Sequence, residues 1–131
     1  MDKKYNFKNL DAYKESKNLV KMIYGLLKQF PKEEQYALCD QMRRAVISVP
    51  SNLAEGSGRT SAKDQAHFIE MAYGSLMEVD CQMDIAHDLS YISRENLDKV
   101  EAQVGIVASL LSGLRNKYLS SLNTNSLNTK H

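Results

Sequence analysis

The chain has 131 residues and a mass of 14.8 kDa, which is enough for one domain. Hydrophobic residues make up 43% and charged residues 25%, values typical of globular proteins, so wholesale disorder is excluded. The net charge of +1 argues neither for nor against nucleic acid as a partner. No apolar run approaches the roughly 20 residues of a membrane span, and MDKKYNFKNL lacks the apolar stretch of a secretory signal. We therefore expect a cytoplasmic protein with no membrane partner.

Hydrophobic spacing predicts four long helices and no strand. Asn9 is the expected N-cap of the first helix, and Pro31 follows its end. Pro50 lies inside the second helix and should kink it, because proline removes a backbone hydrogen bond. Ser61 and Ser93 directly precede the third and fourth helices. The expected bounds are about 10–30, 33–56, 62–91 and 94–119.

Short connections between these helices predict an all-α fold, an antiparallel up-down-up-down four-helix bundle. We expect this domain to cover residues 1–121. Residues 122–131 are rich in Asn, Ser and Thr and are expected to form a disordered polar tail.

The apolar side chains follow helical spacing on each helix. The expected core face of the second helix consists of Leu38, Met42, Ala45, Val49 and Leu53. That of the third helix consists of Phe68, Ala72, Ser75, Val79, Met83 and Ala86. That of the fourth helix consists of Leu97, Val100, Val104, Val107, Leu111, Leu114 and Tyr118. The first helix carries a much wider apolar arc, about 200° against about 100° for a helix that buries one face. Its members are Leu19, Val20, Met22, Ile23, Tyr24, Leu26, Leu27 and Phe30.

An arc that wide either lies between two partners inside the bundle or continues into another subunit. Ile106 and Leu110 lie off the fourth-helix seam and raise the same question. We favour self-association over a well-buried monomer.

A row of basic side chains lies opposite the apolar arc of the first helix. It contains Lys14, Lys17, Lys21, Lys28 and Lys32, within about 60° of the helical wheel and with no acidic residue among them. Such a row is either a solvated helix face or an electrostatic footprint for a phosphate backbone. The sequence has no Trp and no arginine-rich run to support the second interpretation.

An acidic row on the third helix has the opposite sign. Glu70, Asp80, Asp84 and Asp88 lie within about 80° of one another on the wheel. Residues 1–60 carry 11 basic and 7 acidic residues, a net charge of +4, and the remainder carries −3. This asymmetry can direct the chain towards a second copy as well as towards RNA, and simple solvation is the alternative.

A polar ladder follows one side of the second helix, at Arg44, Ser48, Asn52, Glu55 and Arg59. Glu55 precedes Arg59 by four residues, the favourable orientation for a helical ion pair. Ser51 or Asn52 can satisfy backbone groups freed by Pro50. Glu78 on the third helix is a candidate partner from another helix. We expect this set to provide structural or intersubunit pairing, with a ligand-binding or catalytic role as the lesser alternative.

The sequence offers no convincing catalytic or metal-ligating pattern. The one approximation to a di-metal element of helical bundles is the Asp84-x-x-His87 spacing. His67 and His87 are not spaced as a zinc-binding pair, and Cys39 and Cys81 form no CxxC motif. We expect no catalytic residue, no metal and no cofactor.

The stretch RRAVISVPSNLAEG from Arg43 to Gly56 resembles the signature of the 23S ribosomal RNA intervening-sequence protein family. GSLME at residues 74–78, FKNL at residues 7–10 and Phe30-Pro31 match it as well. The resemblance implies an antiparallel four-helix bundle that assembles as a barrel-like homopentamer. Arg44, Asn52, Glu55 and Glu78 match the family motif.

The family is distantly similar to the accessory proteins of diversity-generating retroelements, in which a basic pentamer contacts RNA and reverse transcriptase. The near-neutral charge of this chain differs from that branch. We therefore expect a non-enzymatic homo-oligomeric scaffold whose main partner is itself. The alternative is an RNA-binding accessory protein that uses the lysine row to contact RNA or an RNA-processing protein.

Overall fold

A computed structural model describes the backbone of residues 3–129 and the side chains of residues 6–121. It contains a 3-10 helix at Lys3–Asn9, α1 at Asp11–Leu27, a second 3-10 helix at Lys32–Glu34, α2 at Leu38–Ser57, α3 at Ala62–Asp88 and α4 at Arg94–Thr129. Residues 3–129 include no strand. The predicted all-α fold with four long helices is confirmed, whereas the antiparallel directions and the kink at Pro50 stay predictions.

The four helices pack in a closed cycle. α1 contacts α2 and α4, and α3 contacts the same two helices, so α1 and α3 lie at diagonal corners of the bundle. Their inward faces enclose one apolar core. Its largest fully buried side chains are Leu19, Ile23, Leu27, Met42, Val46, Val49, Leu53, Ile69, Leu76, Met83, Leu97 and Leu111.

The start of α1 differs from the prediction. The chain before it is already wound as a 3-10 helix up to Asn9, and the Leu10 amide donates to the carbonyl of Phe7 at 3.0 Å. Leu10 is therefore the N-cap, with no side-chain hydrogen bond, and Asn9 as N-cap was wrong. The ring of Phe7 packs edge-on against Tyr13, with 5.0 Å between centroids, which fixes the 3-10 helix against α1.

The start of α2 was also predicted too early. Residues 32–34 form the second 3-10 helix, and Gln35 then turns back towards the end of α1. Its Nε2 donates to the carbonyl of Leu27 at 2.9 Å and to that of Phe30 at 3.3 Å. Arg43 in turn donates to the Gln35 side-chain oxygen at 2.8 Å. These bonds satisfy carbonyls at the end of α1 and delay α2 until Leu38.

The caps of the third and fourth helices follow the sequence. Ser61 Oγ accepts from the Asp64 amide at 3.1 Å, and Ser93 Oγ accepts from the Asn96 amide at the same distance. α3 ends at Asp88, three residues earlier than expected, because Ser90 adopts a left-handed φ of 65°. α4 continues to Thr129, beyond the expected end at residue 119. The side chains of residues 122–131 lie outside the described part of the chain, and the disordered tail stays a prediction.

Gly56 allows α2 and α3 to approach closely. A Cβ on this buried glycine would lie 2.8 Å from Phe68 Cβ and 3.4 Å from the Gln65 carbonyl oxygen. Arg59, two residues after the end of α2, stacks on the Phe68 ring at 4.5 Å from its centroid. The junction therefore depends on the absence of a side chain at residue 56.

Most of the predicted core is buried. On α4 the seam is buried from Leu97 to Leu111, and Leu114 and Tyr118 are half-buried at its edge. On α3 the prediction omitted Ile69 and Leu76, which are almost completely buried. A single row of apolar residues describes contact with one neighbour, whereas α3 packs against both α2 and α4 and therefore buries a wider face.

Candidate interaction surfaces

The predicted lysine row is a solvent-facing surface of α1. Lys14, Lys17 and Lys21 are exposed on the helix, and exposed Lys28 is its C-cap. These four residues are hereafter the lysine face. Lys32 lies in the following 3-10 helix, so it extends the row without sharing the helical face, because α1 ends at Leu27 rather than at Phe30.

The lysine face lacks carboxylate partners. Within the part of the chain that the structure describes, none of its ammonium groups forms an ion pair, and Lys17 Nζ instead lies 5.2 Å from the centroid of the Tyr13 ring. Glu15 is turned away towards α4, where Gln103 Nε2 donates to its Oε1 at 2.8 Å. This hydrogen bond, with another from Asn18, lowers the pKa of the Glu15 carboxyl.

The acidic row of α3 faces outwards at the opposite corner of the bundle. Asp84 and Asp88 are exposed and Asp80 is half-buried. These three residues are hereafter the acidic face. Asp88 Oδ1 lies 4.0 Å from Nδ1 of His87, and no ion pair with Lys or Arg forms at the acidic face within the described residues. Glu70, the fourth predicted member, instead forms a salt bridge with Arg115 of α4 at 3.3 Å, and it is therefore not counted in the acidic face.

The polar ladder lies on the outer side of α2, and only parts of it are joined within one chain. Ser48 Oγ donates to the Ala45 carbonyl at 2.8 Å, and Asn52 Nδ2 donates to the Ser48 carbonyl at 2.9 Å. Glu55 and Arg59 form the expected ion pair at 3.7 Å, with 62% and 48% of their side-chain surfaces exposed. Arg44 is also exposed.

Asn52 therefore donates its hydrogen bond to a different carbonyl from the one that the sequence indicated. The carbonyl freed by Pro50 is that of Val46, four residues earlier, whereas Asn52 donates to the Ser48 carbonyl. Glu78, the candidate partner from another helix, is exposed and accepts a hydrogen bond at 3.2 Å from Gln82 of its own helix. The structure of one chain therefore does not bring Glu78 to the ladder.

Gln82 is a polar residue that the sequence analysis missed. It is buried, and its Oε1 has no hydrogen-bond partner among the described residues. Its position on the flank of α3, between the apolar residues of the core and Glu78, gave no distinguishing periodic signal.

Several large apolar side chains remain exposed on the outside of the bundle. Tyr24 is 38% exposed and Ile106 is 47% exposed, while Val20 and Leu110 are half-buried and Leu27 is fully enclosed. The outer side of α3 adds exposed residues that the sequence analysis did not single out, namely Met71, Tyr73, Met77 and Ile85. The helical wheel places these apolar residues outside the core face, so the sequence did contain a signal for an exposed apolar surface. Acidic residues lie among them on the wheel and obscured that signal.

Two shallow grooves accompany these residues. The larger, about 380 Å³, lies between α3 and α4, over Ile69, Tyr73 and Leu111, with the Glu70–Arg115 ion pair at its edge. The smaller, about 280 Å³, lies between the start of α1 and α4, over Leu110 and Leu114. Both have mainly apolar walls, and neither contains a histidine or a cysteine.

The two cysteines differ in their exposure to solvent. Cys39 is buried, and burial raises the pKa of its thiol, which makes it a poor nucleophile. Cys81 is exposed on α3. The described residues include no cluster of three His, Cys, Asp or Glu side chains that could hold a metal ion. Between residues 3 and 129 no helix has the length and apolarity needed to cross a bilayer.

Comparison with known proteins agrees with the fold and with the motif in α2. The chain matches no curated protein sequence. The family model for the 23S rRNA-intervening sequence protein, in contrast, matches residues 8–113, which includes the lysine face, the polar ladder, the acidic face and most of the core seam of α4. The match covers well over half of the sequence, and the chain therefore belongs to the 23S rRNA-intervening sequence protein family.

Proposed function

We propose that this protein is a non-enzymatic, cytoplasmic scaffold that acts as a homo-oligomer. The observation that carries the proposal is the set of large apolar side chains left outside the bundle, above all Tyr24 and Ile106. Exposed apolar surface of this kind on a small helical domain is typical of surfaces that partners cover. The sequence signature in α2 adds the expectation of five subunits.

The direct test is the mass of the purified protein in solution. Light scattering coupled to gel filtration should give a multiple of the 14.8 kDa chain mass, with five copies as the expected number. A species of one chain mass at micromolar concentration would remove the proposal. A stable species with another copy number would retain the scaffold and correct the number of subunits.

A second candidate function is RNA binding through the lysine face. It is supported by four exposed lysines with no carboxylate partner within the described residues. The test is binding to a structured RNA over a salt series. A slope of log K against log salt of about −0.7 to −0.9 for each phosphate contact supports this function.

The variant Lys17→Glu with Lys21→Glu should abolish that binding. The matched control is Lys99→Glu with Lys117→Glu, which makes the same charge change at exposed positions of α4. Absence of binding by the unaltered protein at low salt would exclude RNA as a direct partner. Equal loss in both variants would mean that net charge, and not the lysine face, determines the affinity.

A further inference from the structure

We propose that the lysine face of one copy docks against the acidic face of a second copy. This inference rests on the homo-oligomer proposed above and assigns it a specific contact. The two faces are those already defined, Lys14, Lys17, Lys21 and Lys28 on α1, and Asp80, Asp84 and Asp88 on α3.

The first support is that neither face has a salt-bridge partner of opposite charge within the described residues, whereas several charges elsewhere are paired. Arg43 pairs with Asp40 at 3.0 Å, and Arg115 pairs with Glu70 at 3.3 Å. On α4, Lys99 pairs with Glu95 at 3.4 Å. Within the described residues no such pair between Lys or Arg and a carboxylate forms at either the lysine face or the acidic face. The two faces therefore have complementary charge that remains available for an intermolecular contact.

The second support is the position of the two helices. α1 and α3 each contact α2 and α4, which places them at diagonal corners of the bundle. Their exposed faces point away from each other, so they cannot neutralise each other within one chain. Each copy can accept one neighbour on its lysine face and another on its acidic face. Such a contact is heterologous, and it forms a ring when the rotation between copies closes.

The third support is exposed apolar surface beside each charged face. Tyr24 lies between Lys21 and Lys28 in the sequence and is 38% exposed. On α3, Met77 and Ile85 are 38% and 45% exposed beside the acidic residues. Exposed ion pairs add orientation and association rate more than affinity, whereas burial of apolar side chains supplies affinity. Each charged face therefore has exposed apolar side chains next to it.

A second copy accounts for more of these features than RNA does. A phosphate backbone would complement the lysine face, but it would be repelled by the acidic face and would leave Met77 and Ile85 exposed. A copy of the same chain complements both surfaces at once.

The test is a charge exchange between the two faces, read as the mass in solution. One variant carries Lys17→Glu and Lys21→Glu, a second carries Asp84→Lys and Asp88→Lys, and a third carries all four changes. Each of the first two variants should lose about tenfold or more in association constant, because attraction becomes repulsion. The fourfold variant should regain the assembly of the unaltered protein.

A mixture of the first two variants should associate through contacts between unlike copies, although a closed ring of five copies cannot alternate throughout. The matched control, Lys99→Glu with Lys117→Glu, should keep the mass of the unaltered protein. All changes are at exposed positions, and circular dichroism checks that each variant is folded. Association of the unaltered protein should weaken in about 1 M salt, where the Debye length falls to about 3 Å.

The possible failures are distinguishable. If the unaltered protein is a single chain, both the scaffold and this contact are overturned. If it is an oligomer and either two-residue variant keeps its mass, the scaffold stands and this contact is wrong. If the lysine variant keeps its mass but loses bound RNA, the lysine face is an RNA surface and the contact is equally wrong. Failure of the folded fourfold variant to reassemble also contradicts the contact.

Discussion

The hydroxyl of Tyr91 donates a hydrogen bond to Oε2 of Glu34 at 2.8 Å and joins two turns that are far apart in the sequence. Tyr91 lies between α3 and α4, and Glu34 lies between α1 and α2. The Tyr91 ring also packs on Phe30, with 5.4 Å between centroids. The Tyr91 side chain therefore connects the turn between α3 and α4 to the turn between α1 and α2, at the same end of the bundle.

This contact predicts a loss of stability at high pH. The hydrogen bond to Glu34, followed by burial, raises the pKa of the Tyr91 hydroxyl. Because the folded pKa exceeds the unfolded value of about 10, the contribution is present below that value and is lost as the pH rises through the folded pKa. Tyr91→Phe should lower the thermal midpoint at pH 7 and flatten the alkaline decline.

The matched control for Tyr91 is Tyr36→Phe. Tyr36 is 91% exposed in the turn between α1 and α2, so removal of its hydroxyl should leave the midpoint unchanged. Equal midpoints for Tyr91→Phe and the unaltered protein would show that the bond to Glu34 contributes nothing to stability in solution.

Gly56→Ala should destabilise the fold by about 1–3 kcal/mol, the usual cost of overpacking. The new Cβ would lie 2.8 Å from Phe68 Cβ, which is close to the backbone and cannot rotate away. Gly105→Ala is the control, because its Cβ would meet nothing within 4 Å and the helix should gain about 0.5–1 kcal/mol. Urea denaturation of both variants measures the difference. A stable Gly56→Ala variant would mean that α2 and α3 can separate without cost.

Much of the fold could be predicted from the sequence because it depends on local signals. Ser61 and Ser93 cap their helices as their positions indicated, and the apolar seam of α4 is buried from Leu97 to Leu111. The start of α2 could not be predicted, because it depends on hydrogen bonds from Gln35 to two carbonyls of a different segment. Tertiary contacts of this kind override local helix propensity.

The candidate surfaces were predicted less completely. The lysine face follows from spacing alone, because like charges on one side of a helix have a clear period. The lack of partners at these charges depends on which helices become neighbours, and spacing does not contain that information. Glu70 illustrates the difference, since it shares the acidic row on the wheel but pairs with Arg115 of α4.

Glu55→Ala is expected to destabilise or dissociate the assembly. In one chain the Glu55–Arg59 pair is exposed and is worth about 0.2–1 kcal/mol at most. Between subunits the same carboxylate would be buried, and its removal would cost about 3–5 kcal/mol. Glu95→Ala, which breaks the exposed pair with Lys99, is the matched control. Unchanged melting and mass for Glu55→Ala would show that the ladder stays exposed.

Tyr24→Ser should weaken association by about tenfold. The loss of roughly 50–60 Å² of apolar contact at about 25 cal/mol per Å² corresponds to about that factor. Tyr36→Ser removes an equally large side chain from a position that is 91% exposed in the turn, and it should leave the association constant unchanged. Sedimentation equilibrium measures both. Equal affinities for the two variants would place Tyr24 outside any contact between copies.

The most direct measurement of the central claim is native mass spectrometry of the unaltered protein. The surplus of exposed apolar side chains predicts a complex at a whole multiple of 14.8 kDa, with five copies expected, that persists at micromolar concentration. A spectrum with only the 14.8 kDa chain across that range would contradict self-association, and the exposed Tyr24 and Ile106 would then have no second copy to cover them.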